Sequence, residues 1–241
     1  MESVESTATT GTDDAQAMFN KHLATYRKIV GENLMFHREV YALLRNQFSQ
    51  GMPRPFSFLD IACGDAVASA AALKGSAIGQ YYRIDLSPQS LELAKESLKD
   101  LPCPVDLRCR DFVEAMADWS DTVDLVWIGM SLHHLQPDEK VRLMKNVRDV
   151  LNRDGLFLIW EPTLVDGESR EEHFDRFSAH RGACATLTDD EFAAMEDHMR
   201  LADFPESANT WKAIGREAGF SEAEQIFLMP NRFGGVYQYR N

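Results

Sequence analysis

The chain has 241 residues, 44% hydrophobic and 26% charged, which is enough apolar material for one domain with a full core and too much for a disordered chain. A formal net charge of −13 argues against nucleic acid as the main partner, and no apolar run reaches the length that crosses a bilayer. Residues 1–14 lack a basic-then-apolar leader, so the cytoplasm is the expected location, with Cys63, Cys103, Cys109 and Cys184 reduced; no C-x-x-C pair is present, adjacent His133 and His134 would not share a helix face, and no metal is expected.

Residues 1–13 are expected to form a disordered tail and 14–52 a helical cap. Phe19, Leu23, Tyr26, Ile29 and Val30 make one apolar stripe; Leu34, Val40, Leu43, Leu44 and Phe48 make a second, with Gly31 between them. Strands are then predicted over 56–61, 81–85, 105–109, 123–129 and 156–160. Between them come helices over 66–74, over 88–98 behind an N-capping Ser87 with Pro88 in the first turn, and over 137–151. A helical insertion over 162–208 follows, in which Thr188-Asp-Asp-Glu191 is a capping box for a helix to about 201. A helix over 211–218 stopped by Gly219 and two strands, 224–228 and 236–239, complete a domain running from 53 to 241. This alternation predicts an α/β fold: a doubly wound, mostly parallel, Rossmann-like sheet of seven strands with a C-terminal antiparallel hairpin and helical lid segments.

The segment Phe58-Leu-Asp-Ile-Ala-Cys-Gly-Asp-Ala66 runs from a strand through a small-residue turn into a helix, so a ligand can lie against backbone beside Asp60 and Gly64. Asp85 ends the second strand, where a carboxylate either accepts two ribose hydroxyls or caps the next helix. Asp111 and Phe112 follow the third strand; the acid suits an adenine amino group or a turn, the ring a base or the core. Ile128, Gly129 and Met130 end the fourth strand. These features recur in order, each at the tip of a successive parallel strand, and together they favour a nucleoside-type cofactor. The first turn lacks the G-x-G-x-x-G of dinucleotide-dependent dehydrogenases.

With Leu59-Asp-Ile-Ala-Cys-Gly64, Ile84-Asp-Leu-Ser-Pro88, Arg110-Asp-Phe112, Asp124–Leu135 and Val150–Leu156, the chain resembles a class I S-adenosylmethionine-dependent methyltransferase of the small-molecule type. The resemblance implies S-adenosyl-L-methionine as cofactor and S-adenosyl-L-homocysteine as product. Asp60, Ala62 and Gly64 would border its methionine part and Asp85 its ribose. Leu86 would pack on the adenosine, Asp111 and Phe112 would contact adenine, and Ile128, Gly129 and Met130 would lie near the sulfonium. The family's first turn commonly carries three alternating glycines; here Ala62, Gly64 and Ala66 stand in that place, and alanine disfavours positive φ.

In-line methyl transfer needs alignment, exclusion of water and, for a protonated acceptor, a base. Candidates are His133, His134 and Glu161, although His134 equally suits a packed position and Glu161 a turn cap or a contact to a cationic substrate. Most charges over 161–203 are expected to face solvent. His173 and Phe177 share a helix face and, with Tyr26 and His37 of the cap, are the substrate candidates implied by the family architecture. The expected reaction is N- or O-methylation of a small molecule. The alternatives are a cofactor-modifying enzyme resembling carboxy-S-adenosylmethionine synthase and a non-catalytic module that only binds the cofactor. The sequence leaves the oligomeric state open.

Overall fold

The computed structural model describes residues 24–241; the expected tail 1–13, and Phe19 and Leu23 of the first stripe, lie outside them. Helix α1 is described over 24–31, followed by α2 (His37–Asn46), which continues into a π-helical turn, Gln47–Gly51. Then come β1 (Phe56–Ile61), α3 (Val67–Leu73), β2 (Ile78–Asp85), α4 (Pro88–Leu98), β3 (Val105–Cys109), α5 (Phe112–Ala117), β4 (Val123–Gly129), α6 (Pro137–Val150) and β5 (Leu151–Leu164). The rest comprises α7 (Arg170–Ser178), α8 (Asp189–Ala202), β6 (Glu206–Ser207), α9 (Ala208–Glu217), β7 (Glu222–Leu228) and β8 (Gly234–Arg240).

The strands lie in the order β3-β2-β1-β4-β5-β8-β7; β3 to β5 are mutually parallel, and β8 is antiparallel to both β5 and β7. β1 and β4 occupy the centre because their residues are apolar on both faces: Phe58, Leu59, Ile61, Val123, Leu125, Val126 and Ile128 are fully buried. On one face α5, α6 and α9 cover Leu59, Ile61, Val126 and Ile128 through Met116, Met144, Val147 and Trp211. On the other α2, α3 and α4 cover Phe56, Phe58, Leu125 and Trp127 through Val40, Leu44, Leu73 and Ala94. The chain leaves β1 toward β2 on one side and reaches β4 on the other, so strand order reverses there. The carboxyl ends of β1 and β4 therefore flank the crevice where such sheets receive ligands.

Several elements depart from the expected pattern: α5 stands between β3 and β4 where the sequence predicts no helix, β2 begins at Ile78, and β5 begins at Leu151. β5 does not stop at Trp160 but runs to Leu164, with Glu161 opposite Gly235 and Pro162 opposite Gly234. Thr163 N–H donates to Phe233 O at 3.0 Å on the β8 side. Alternation turns the nitrogen of Pro162 toward the β4 side, where pairing has already ended at Gly129–Trp160, so no ladder bond is lost. The two-residue β6 then pairs with Thr163 and Leu164, tying the end of the insertion to the sheet.

Candidate functional site

The turn after β1 is held in an unusual conformation. Ala62, Gly64 and Ala66 all have positive φ, at 55°, 58° and 54°. For the two alanines this is the strained left-handed region, which persists only where surrounding contacts demand it. Those contacts are visible. Ala62 N–H donates to Ile84 O at 2.8 Å, Gly64 N–H to Asp85 Oδ2 at 2.9 Å and Ala66 N–H to Cys63 O at 3.1 Å. Beneath the turn, the fully buried Arg83 of β2 donates from Nε to Cys63 Sγ at 2.6 Å and from Nη2 to Gly64 O.

Asp60 is fully buried below this turn. It accepts the Tyr81 hydroxyl at 2.6 Å on Oδ2, while Oδ1 has no partner. Burial lifts its carboxyl to about 6 against the pull of nearby donors. Asp85 binds two backbone groups at once, Gly64 N–H through Oδ2 and Ser87 N–H through Oδ1, each at 2.9 Å. Each oxygen keeps a further lone pair, so both readings of this acid hold together: it shapes the turn and can still accept hydroxyls. Burial raises its carboxyl as well. Asp111 is the N-cap of α5, accepting Val113 N–H at 2.8 Å and Glu114 N–H at 3.1 Å on Oδ1. Phe112 is half-buried against the α5–α6 core, and Leu86 is 69% exposed beside Asp85.

At the end of β4, Met130 also takes positive φ, 56°, and its N–H donates to Trp160 O at 2.7 Å. The 3₁₀ turn Leu132–His134 follows, hung on one side chain. Glu161, fully buried on β5, accepts Ser131 N–H at 3.1 Å and Leu132 N–H at 2.9 Å on Oε1. Its Oε2 takes His133 N–H at 3.3 Å and His133 Nδ1–H at 2.7 Å. A carboxylate only accepts, so a proton sits on Nδ1, and Nε2 is the ring nitrogen left toward the cavity. That nitrogen faces Asp203, just past the end of α8: Oδ1 is 3.6 Å from His133 Nε2 and 3.3 Å from His134 Nδ1. The loop carrying Asp203 is secured by Phe204 N–H to His133 O at 2.6 Å and by Arg170, whose guanidinium donates to the carbonyls of Asp203 and Arg200.

These pieces border one cavity of about 720 Å³, within the ~300–1,000 Å³ of small-molecule sites. Its floor includes Ala62, Gly64, Gly129, Met130 and His133. α1, α2, α7 and α8 roof it through Tyr26, His37, His173, Phe177 and His198. The roof has its own apolar cluster, Ile29 with Cys184, Leu187 and Phe192, with Phe177 stacked on Phe192 at 5.4 Å, and Lys28 reaches Glu191 of α8 at 2.6 Å. Among the described residues no lysine or arginine lines the cavity, yet every histidine does: His37, His133, His134, His173, His180 and His198. Burial holds His37 and His173 down to about 4, so both are neutral near pH 7. The Asp203 carboxylate raises His134.

Three candidates stand elsewhere than expected. Ile128 is fully buried in the α5–α6 core, because alternation along β4 turns it away from Trp127 and Gly129, which line the cavity. Asp60 supports the turn from below rather than bordering the cavity. Glu161 is engaged by four donors, which leaves it a positioning role rather than that of a free base. Asp85, Leu86, Asp111 and Phe112 cluster on the tips of β2 and β3, outside the cavity lining but contiguous with Gly64. Asp203, His198 and Arg83 were missed in the sequence. The only available signal was a buried-strand position for Arg83 and the end of a capped helix for Asp203.

Residues 58–155 match a family described as methyltransferase domain. The chain is 20% identical over 149 residues to carboxy-S-adenosyl-L-methionine synthase 1 of Yersinia pseudotuberculosis, covering 60% of each, so it spans about 60% of the length of that relative. It is 20% identical over 213 residues to carboxy-S-adenosyl-L-methionine synthase of Campylobacter curvus, covering 87% of this chain and 88% of that one. An O-methyltransferase family protein from Burkholderia thailandensis superposes with a TM-score of 0.64 at 16% identity, covering 87% of this chain and 57% of the other.

Proposed function

With residues 58–155 forming a methyltransferase domain of the class I, S-adenosylmethionine-dependent type, we propose that the chain transfers the cofactor's methyl group to a small-molecule acceptor bound in the histidine-lined cavity. The observation that carries this reading is the roof. α1 and the segment after it meet α7 and α8 above the turn 62–66, leaving a partly covered, mostly apolar space of a size suited to a small acceptor. In this reading the turn 62–66 takes the methionine end, Asp85 the ribose, and Leu86, Asp111 and Phe112 the adenine. Gly129 and Met130 lie beside the sulfonium. No helix among the described residues is long and apolar enough to cross a membrane, and we place the reaction in the cytoplasm.

The chemistry follows from what surrounds the sulfonium. The acceptor atom, oxygen or nitrogen, attacks the methyl carbon in line with the C–S bond, whose electron pair returns to sulfur. The roof keeps water from competing. The acceptor proton is lost at the group formed by His133 Nε2, Asp203 Oδ1 and His134 Nδ1, with Glu161 fixing the His133 tautomer in the manner of a carboxylate–histidine pair. His133→Ala is expected to lower turnover at least 100-fold while S-adenosylhomocysteine affinity changes little. Equal loss of both, with a lower Tm, would assign His133 to packing instead.

The curated relatives raise a second reading, modification of the cofactor itself. A carboxylated cofactor carries an extra anion beside the sulfonium and calls for a facing cation; the described lining has neither lysine nor arginine, His37 and His173 are neutral, and His134, raised by Asp203, is the ring that could face it. Mass spectrometry of the cofactor carried by purified protein discriminates the two: a mass increment for carboxylate would support modification, and unmodified cofactor or S-adenosylhomocysteine would support transfer.

A further inference from the structure

His133, His134 and Asp203 sit closer together than a proton-handling role requires. One nitrogen from each ring and one carboxylate oxygen all lie within 4.8 Å of one another, and Asp203 Oδ1 is 3.3 Å from the His134 nitrogen and 3.6 Å from that of His133. Ligand atoms bound to one zinc-sized ion at 2.0–2.2 Å stand about 3–3.5 Å apart. The histidines are adjacent in sequence, which in an α-helix would splay them. In the 3₁₀ turn their ring centroids are instead 4.1 Å apart, and both rings reach the same acid.

Two independent observations point to a cation there. Asp203 is 4% exposed, and its buried Oδ1, aimed between the two rings, makes no well-directed hydrogen bond and has only the ion-pair contacts to the two histidines. An unsatisfied buried carboxylate oxygen is costly without a compensating charge. In addition, His133 has the surroundings of a metal ligand. Its Nδ1–H is given to Glu161 at 2.7 Å, which leaves Nε2 as the nitrogen turned toward Asp203 and available to a cation, and Glu161 is itself satisfied by three backbone N–H groups. Carboxylate–histidine–metal chains are built in this way.

We propose that His133 Nε2, His134 Nδ1 and Asp203 Oδ1 bind one divalent first-row transition metal ion at the floor of the cavity. Two imidazoles and one carboxylate suit zinc or ferrous iron over magnesium or calcium, and three protein ligands leave positions open toward the cavity. His134 exchanges its 3.3 Å contact with Ala202 O for the ion. The inference rests on the methyltransferase reading only for its use, and with the ion bound those three atoms activate the acceptor through the metal instead of taking its proton themselves. An acceptor hydroxyl in an open position would release its proton to water, its oxygen would attack the methyl carbon, and the C–S electron pair would remain on sulfur as S-adenosylhomocysteine.

The test uses the full chain stripped by dialysis against a chelator, then titrated with Zn²⁺ against a chromophoric indicator and with Co²⁺ for its visible d–d absorption. One equivalent of Zn²⁺ per chain is expected, with Asp203→Asn and His134→Ala each weakening uptake about 100-fold, and Glu161→Gln about 10–100-fold. His134 is partly exposed, so its variant remains informative should a buried substitution fail to fold. No stoichiometric uptake by the unaltered chain, or uptake unchanged in both Asp203→Asn and His134→Ala, overturns the site. S-adenosylhomocysteine titrated into the same samples reports separately on the methyltransferase reading. Binding of it without metal uptake sinks only the metal site; metal uptake without it supports the site and counts against methyl transfer.

Discussion

Replacing Glu161 by glutamine probes the single side chain on which the loop after β4 depends. Gln keeps one carbonyl oxygen, which can still accept Ser131 and Leu132 N–H, but it turns an NH₂ toward His133 N–H and Nδ1–H, which now donate to Oε2 at 3.3 and 2.7 Å. Two buried donors lose their acceptor, and at roughly 1–3 kcal/mol for each unsatisfied group the variant should lose about 2–6 kcal/mol of stability. For a chain of this size, about 3 kcal/mol lowers Tm by roughly 6–12 °C. The imidazole can recover part of the loss by moving its proton to Nε2, so that Nδ1 accepts from the amide. Urea unfolding gives the stability change, and ¹⁵N shifts of the His133 ring report the tautomer. Turnover should fall more than S-adenosylhomocysteine affinity, because the turn 62–66 does not touch Glu161. A loss below about 0.5 kcal/mol, with the proton still on Nδ1, would refute the reasoning.

Three further expectations follow from the same geometry. Asp85→Asn should weaken S-adenosylhomocysteine binding by about 1.5–3 kcal/mol, roughly 10–150-fold, since charge-assisted bonds to the ribose become neutral ones; unchanged calorimetric affinity would contradict the ribose assignment. Ala62→Gly should stabilise the chain by about 0.5–1 kcal/mol by relieving positive φ at a half-buried site, seen as a higher urea midpoint, whereas Ala66→Gly should gain less because the buried Ala66 methyl is also packed. Stability should fall as pH drops below 6.5, because His37 and His173 titrate near 4 in the fold and at 6.5 unfolded. The unfolded chain therefore binds the extra protons between those limits, at about 1.4 kcal/mol per pH unit for each histidine, partly offset by Asp60, Asp85 and His134, whose raised values in the fold act in the opposite sense; NMR titration of the two rings isolates their share, and either ring titrating near 6.5 would contradict burial as neutral rings.

Most of the alternation of strand and helix from residue 56 to 160 is readable because its signals are local. Apolar runs mark β1 and β4 and Ser87-Pro88 opens α4, while α5, six residues long, is too short to show a helical period. The turn and Asp85 were readable for the same reason, and the structure joins them through the Gly64–Asp85 bond. Properties that arise only when distant segments meet were not readable. The continuation of β5 past Pro162 depends on which neighbour has ended. The commitment of Glu161 depends on backbone donors some thirty positions earlier. Asp203 carries no motif, and it gains its place because Phe204 bonds to His133 and Arg170 caps the end of α8. Ile128 marks the opposite error: a position at a strand tip was assigned to the site when its alternation turns it into the core.

The central claim is that the turn 62–66, Asp85 and the histidine-lined cavity form one continuous cofactor and acceptor site, and titration calorimetry of the full chain with S-adenosylhomocysteine tests it most directly. Saturable binding of one molecule per chain, with an affinity in the range of about 1–100 μM and a loss on Asp85→Asn, is the predicted result. No heat and no saturation up to about 1 mM ligand would contradict it.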